Sequence, residues 1–344
     1  MNTFQGQAAF SNIPRWVNRG LRPFHWQQLV VCLPTIPLIL VGGSLLRARL
    51  AASIAAGAAI SVGFGASRAL YGRRWGAMAA ATVCMAVAAF AGSCAGGRLW
   101  ILLLFSGATA AACAVLALID DDLWWVVLQS VIALLVAGAY PGNLTEAAAR
   151  AGVIFLGGAA QVGVVLVLTT LLQVDPLLPP AAPKPPQAHA RPWLAGLRAA
   201  VCIVISLYAA RALHWSNSYW APMTAMLVLK PGLRETQVRG VARFSGTILG
   251  CVLATLFVDL THGAPGPLVA ALSITAALAF ALQKASYVFV TAGITATIVL
   301  LISLSTGMVL ATAEHRIFAT LLGGVVAIAV AFAFPPTQTP VTPA

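Results

Sequence analysis

The 344-residue sequence predicts an all-α polytopic membrane protein of about twelve transmembrane helices, arranged as two parallel six-helix repeats with both termini cytoplasmic. Three observations carry that expectation. First, 60% of the residues are apolar and only 8% charged, with a mean hydropathy of +0.92. A soluble domain carries about 25% charged residues, so this chain cannot clothe a water-facing surface. Second, apolar runs recur from end to end, and stretches such as Ile101–Ile119 do not alternate as membrane β-strands would. Third, short motifs return at matching places in the two halves.

The apolar segments of the first half are Gln27–Leu46, Leu50–Ala69, Gly76–Ser93, Leu99–Ile119, Leu123–Ala139 and Ala151–Gln173. Those of the second are Leu197–Leu213, Tyr219–Leu229, Val241–Leu260, Leu268–Gln283, Tyr287–Met308 and Ile317–Phe334. Residues 1–26 form a polar, basic cytoplasmic segment with no cleavable signal, and the first apolar segment follows it as a signal anchor. The halves, 27–173 and 197–334, are joined by a Pro-rich linker, 174–196, and residues 335–344 form a tail. The prolines of Asp175–Ala190 exclude a helix there and favour an extended, solvated chain.

Charge sets the orientation. With the N-terminus inside, fourteen Lys and Arg fall in inside loops (Arg15, Arg19, Arg22, Arg68, Arg73, Arg74, Lys184, Arg191, Arg198, Lys230, Arg234, Arg239, Arg243, Lys284). Six fall outside (Arg47, Arg49, Arg98, Arg150, Arg211, Arg316). The net charge of +12 is therefore read as topology, and nucleic acid is not an expected partner. The repeats show in Arg22–Phe24 against Arg191–Trp193, and in Arg150–Gly158 against Arg316–Gly324, where an Arg stands seven residues before a Gly pair. A duplication of this kind places its pathway between the halves.

No Ser/His/Asp constellation, phosphate loop or Cys/His metal spacing is present, so neither enzyme activity nor a cofactor or metal is expected. The six cysteines (Cys32, Cys84, Cys94, Cys113, Cys202, Cys251) lie within or at the edges of apolar segments and read as small core residues. Asp120–Asp122 lacks a second acidic cluster to face it and reads as a loop capping the helix from Leu123. His25, His189 and His214 lie in loops and take no role.

The densest chemistry lies between Ser218 and Gly250. Tyr219–Leu229 would make a helix of only about 16 Å, half of the roughly 30 Å hydrocarbon core. Short, proline-bounded spans of this type occur at transport sites, where freed backbone faces a cavity. Tyr219 and Trp220 suit either an interfacial belt or a stacking wall for a planar substrate. On a continuous helix Arg239 and Arg243 would share one face, with Thr236 and Gln237 as neutral donors and Glu235 as the only nearby acid. They read as a positive-inside anchor or as a vestibule for anions, whose carboxylates guanidinium binds through paired hydrogen bonds. Gly246–Gly250 is a small-xxx-small packing face, and the two Gly pairs read likewise. Glu314, His315 and Arg316 before the last helix, Asp259 and His262 ending the ninth, and Glu146 and Arg150 flanking the sixth stand near the outer surface as solvated pairs or proton couplers.

Tyr219, Trp220, Ala221, Pro222, Thr224, Pro231, Arg239, Arg243, Gly246, Thr247 and Gly250 reproduce an aromatic–Trp–Ala–Pro–x–Thr turn, an apolar run ending in Pro, spaced arginines and Gly–Thr–x–x–Gly. Arg316, Thr320 and Gly323 fit a later Arg–x–x–x–Thr–x–x–Gly element. This pattern, over about 150 residues of the second half, resembles the fusaric acid resistance (FUSC) or aromatic acid exporter family, and more distantly the plant aluminium-activated malate transporters. The resemblance implies a bacterial inner-membrane exporter of small, often aromatic, carboxylic acids, energised by protons and working with a periplasmic adaptor protein. It departs from larger relatives in lacking soluble regions after each membrane half. Arg234, Arg239 and Arg243 are expected to recruit the organic anion, Tyr219, Trp220 and Thr224 to line its site, Arg316 to meet it from outside, and Glu314 or Asp259 to carry the proton. Membrane lipids and a second copy of the chain are the other expected partners. A passive anion channel of the same fold and a non-transporting scaffold that binds lipid or protein are the alternatives.

Overall fold

The computed structural model describes residues 24–177, 191–215 and 217–335. Most of the expected N-terminal segment with Arg15, Arg19 and Arg22, the centre of the linker with Lys184 and His189, and nearly all of the tail lie outside the described residues. Those described fold into helices joined by turns, with one isolated bridge between Leu70 and Arg73.

The first half contains α1 (Trp26–Cys32), α2 (Thr35–Leu45), α3 (Arg49–Gly63), α4 (Gly76–Ala95), α5 (Leu99–Leu116), α6 (Asp121–Gly138) and α7 (Leu144–Leu172). The second contains α8 (Pro192–Ala212), α9 (Trp220–Val228), α10 (Leu233–Leu260), α11 (Pro265–Ala281), α12 (Tyr287–Thr306) and α13 (Val309–Ala333). Nine stretches among the described residues, counting α1 and α2 as one, are long and apolar enough to cross a membrane; α3 and α11 are apolar but shorter. Leu104, Val167, Leu256 and Phe332 turn outward, as the lipid-facing side of a multi-pass membrane protein requires.

Each expected segment falls on a helix, but several boundaries need correction. The segment Gln27–Leu46 is broken, because Pro34 has no N–H and cannot continue the helical ladder. α8 opens at Pro192, upstream of the expected Leu197, with proline in its first turn where no donor is lost. α7, α10 and α13 also start upstream of the expected Ala151, Val241 and Ile317. Counting apolar runs stops at a charge, whereas a helix runs through Arg and Glu readily. Arg234, Arg239 and Arg243, expected in an inside loop, and Glu314 and His315, expected before the last helix, therefore sit on helices, and Arg150 and Arg316 lie one or two turns inside theirs. Glu146 closes a capping box with Asn143, and Asp120 caps α6 by accepting from the Asp122 and Leu123 N–H groups at 2.8 and 2.9 Å. Of the cysteines, Cys84 and Cys94 are exposed and only the other four are buried.

With α1 and α2 counted as one, each half is a unit of six helices, and the helix pairings recur. Third packs on fifth (α4 on α6, α10 on α12), second on sixth (α3 on α7, α9 on α13), and third on sixth (α4 on α7, α10 on α13). The first helix of each unit crosses to the fourth of the other: α8 lies on α5, and α1 with α2 on α11. Glycines fix the same approaches in both. A side chain at Gly157 would strike the Ala55 carbonyl, and one at Gly323 the Ala221 carbonyl, pairs with equal sequence separation. Gly92 against Leu134 and Gly250 against Ala292 repeat the correspondence between third and fifth helices. The two units are thus packed alike, held by small residues that let backbones touch.

Candidate functional site

The second unit encloses an arginine and aromatic cluster among α9, α10, α12 and α13. Its frame is set by glycine. Gly246 and Gly250 bring α10 against Val288, Thr291 and Thr295 of α12, and Gly323 brings α13 against Ala221 and Thr224 of α9. The small-residue face read from Gly246–Gly250 is thus a packing face.

This close approach brings the arginines inward. Arg243 is 5% exposed and Arg316 only 2%. The Arg243 Nη1 donates to Tyr287 Oη at 3.3 Å, and the Arg239 guanidinium lies 3.5 Å from the Tyr287 ring centroid. Arg316 stands 5.0 Å over the Trp220 ring, and Tyr219 packs edge-on against Trp220 at 5.6 Å. Tyr219 also reaches Tyr140 of the first unit, at 6.4 Å between rings. Arg243 and Arg316 are near enough for their charges to repel. The ion pairs among the described residues, Arg68–Asp122 and Arg74–Asp175, lie elsewhere. Two buried guanidinium groups thus face each other's field with no carboxylate among the described residues within salt-bridge distance.

The surrounding polar atoms add to the imbalance. Nε of Arg239, Nε of Arg243, Nη2 of Arg316 and the hydroxyls of Thr291 and Thr295 are buried without a hydrogen-bond partner among the described residues. A buried unsatisfied donor costs about 1–3 kcal/mol, and more when charged. Because Arg243 donates into the Tyr287 oxygen, the phenol retains its own proton to donate. The arrangement therefore offers two cations, a phenolic donor and an indole face to a planar anion.

Among the expected site residues, Tyr219, Trp220, Thr224, Arg239, Arg243 and Arg316 come together in this region, the first two as buried core and not as an exposed belt. Arg234 is exposed near the start of α10, and Glu314 and Asp259 are exposed on α13 and α10. Thr236 serves the backbone: its hydroxyl donates to the Gly232 carbonyl at 2.9 Å and accepts from the Lys230 N–H at 3.0 Å. Arg198 holds the same turn, donating to the Pro231 and Lys230 carbonyls at 2.8 and 3.0 Å. Tyr287, Thr291 and Thr295 were not anticipated, although their spacing of four marks a polar stripe on one face of an apolar helix.

Every residue of the cluster lies within residues 202–330, which match the family described as fusaric acid resistance protein-like. No curated protein and no solved structure matches the chain. That part of the second membrane half, with its paired glycines and buried arginines, is similar to the fusaric acid resistance protein-like family.

Proposed function

We propose that the protein is a transporter of the bacterial inner membrane that moves small organic anions, aromatic carboxylates foremost, out of the cell. The observation that carries this reading is the burial of Arg243 and Arg316 without a carboxylate partner. A buried charge left unpaired costs several kcal/mol, and a substrate carboxylate supplies the missing counter-charge. Arg243 and Arg316 bind the carboxylate, Tyr287 and the Thr291 and Thr295 hydroxyls orient it, and Trp220 offers its face to the ring. Arg239, stacked on Tyr287, adds field from the expected cytoplasmic side.

The experiment is flux into proteoliposomes across aromatic and dicarboxylic acids, with and without an imposed pH difference. Substrate-dependent flux by the parent, lost in correctly inserted Arg243→Gln, is the expected result. Parent-level flux in Arg243→Gln would remove that arginine from the anion path. Recording in planar bilayers separates a pump from a channel, since only a channel passes current at high unitary rate without a gradient.

A further inference from the structure

A second polar cluster lies far from the arginines, where the first helix is broken at Leu33–Pro34. Proline removes the N–H that the Val30 carbonyl would otherwise receive. Ile36 N–H donates to Leu33, at 3.3 Å, so the Cys32 carbonyl is released from the ladder and accepts from Gln161 Nε2 of α7 at 3.3 Å. α3 ends at the same place: the Gly63 carbonyl accepts from Gln28 Nε2 at 3.2 Å and from the Cys32 thiol at 3.5 Å. From the other unit comes Gln283, whose Oε1 accepts from Gln28 Nε2 at 3.0 Å and from Ser67 Oγ at 3.3 Å. Its Nε2 donates to the Phe64 carbonyl at 3.2 Å.

What this network leaves over is one-sided. Gln28 and Gln161 are wholly buried, and each amide nitrogen has found an acceptor, yet Oε1 of Gln28 and Oε1 of Gln161 have no partner among the described residues. The buried hydroxyl of Thr35, the first residue after the break, also has none. The unmet groups of the network itself are neutral oxygens that accept, while Nε2 of His25 and Nε of Arg68 beside it are also buried without a partner among the described residues. The nearby cations do not meet these oxygens. Arg68 turns to Asp122 at 3.0 Å and to the Trp125 ring, and Lys284 is exposed. Burial, and then the Lys284 charge, hold the His25 imidazole below its ordinary pKa, so it is neutral at pH 7.

We propose that the break in the first helix is a binding site for a dehydrated sodium ion, held by the side-chain oxygens of Gln28, Thr35 and Gln161. Neutral oxygens on an interrupted helix suit a monovalent cation. A divalent ion would ask for carboxylates, and no acid takes part in this network. Because Gln28 also bonds Gln283 of the other unit, an ion here stabilises the arrangement in which the two units meet.

The test needs no anion and no flux, so its failure would leave the arginine site standing. Thermal unfolding of the purified protein is followed in sodium, potassium and choline chloride at equal ionic strength. A saturable stabilisation by sodium over choline is expected, absent in both Thr35→Val and Gln161→Leu. Equal curves in the three salts would overturn the proposal, because bridging water would satisfy these oxygens regardless of the cation. A sodium-specific shift that survives in both variants would overturn it as well. Should a variant fail to fold, binding of radioactive sodium to the parent decides: no displaceable binding sinks the site.

Discussion

The two six-helix units share a frame and differ in what lines it. Aligning Gly92 with Gly250 sets Ala81 and Met85 where the second unit has Arg239 and Arg243. On the facing helix, Gln129, Ala133 and Ala137 stand for Tyr287, Thr291 and Thr295, and beside Ala55 the first unit has Ser53 and Ile54 for Tyr219 and Trp220. Only the arginine of the sixth helix is common to both, and it behaves differently. Arg150 is half-buried and donates to Ser93 Oγ and, at 2.6 Å, to the Tyr140 carbonyl. Arg316 is buried over an indole with one Nη lacking a partner. The difference teaches that packing and recognition have separated: small residues keep both units in register, while one unit alone has acquired uncompensated charge.

The comparison breaks most sharply at the paired arginines. Arg316→Gln should lower flux by about 10- to 100-fold, the worth of one buried charge-assisted contact, while Arg150→Gln leaves it within about twofold because its contacts are local. Melting should separate them again, since Arg316→Gln removes a buried unpaired charge and should hold or raise the melting temperature. Equal flux loss in both would restore functional symmetry and end the argument for a one-sided site.

The frame itself is tested by Gly92→Ala and Gly250→Ala. Each forces a methyl onto a carbonyl, and each should cost about 1–3 kcal/mol of stability by chemical denaturation. A large loss in one and none in the other would show that the units are not held alike. Tyr287→Phe keeps the ring beneath Arg239 but removes the hydroxyl at Arg243, and flux should fall by about three- to tenfold. The smallest effects belong to Glu314→Gln and Asp259→Asn. Both side chains are exposed, and each variant should change pH-driven flux by less than about twofold. A collapse of pH-driven flux in either would instead make it the proton carrier.

Much of the fold was readable from apolar runs, because each crossing must satisfy its own backbone and so declares itself in composition. Helix ends were less readable. Arg239 and Arg243 looked like a loop because hydropathy falls there, although arginine is a good helix former. Pro34 marks the break in the first helix, but hydropathy stays high across it, so composition alone shows one continuous span. For the candidate site, the motif from Tyr219 to Gly250 supplied most members. Tyr287 stayed hidden because its role depends on the approach of α10 to α12, a contact between residues distant in sequence. Arg198 was counted with the topological charges, and only the folded turn at Lys230–Gly232 gives it its carbonyl partners.

The brevity of α9 bears on energetics. Nine residues rise about 14 Å, less than half of a hydrocarbon core near 30 Å. Its ends, Trp220 and Val228, are buried in protein, so an anion held at this helix would stand within the field of the membrane voltage. Under the proposed transport, a cell interior negative by 100 mV would favour outward movement of a monovalent anion by about 2.3 kcal/mol, whatever the length of the passage. Such a passage would favour export before any coupling ion is engaged.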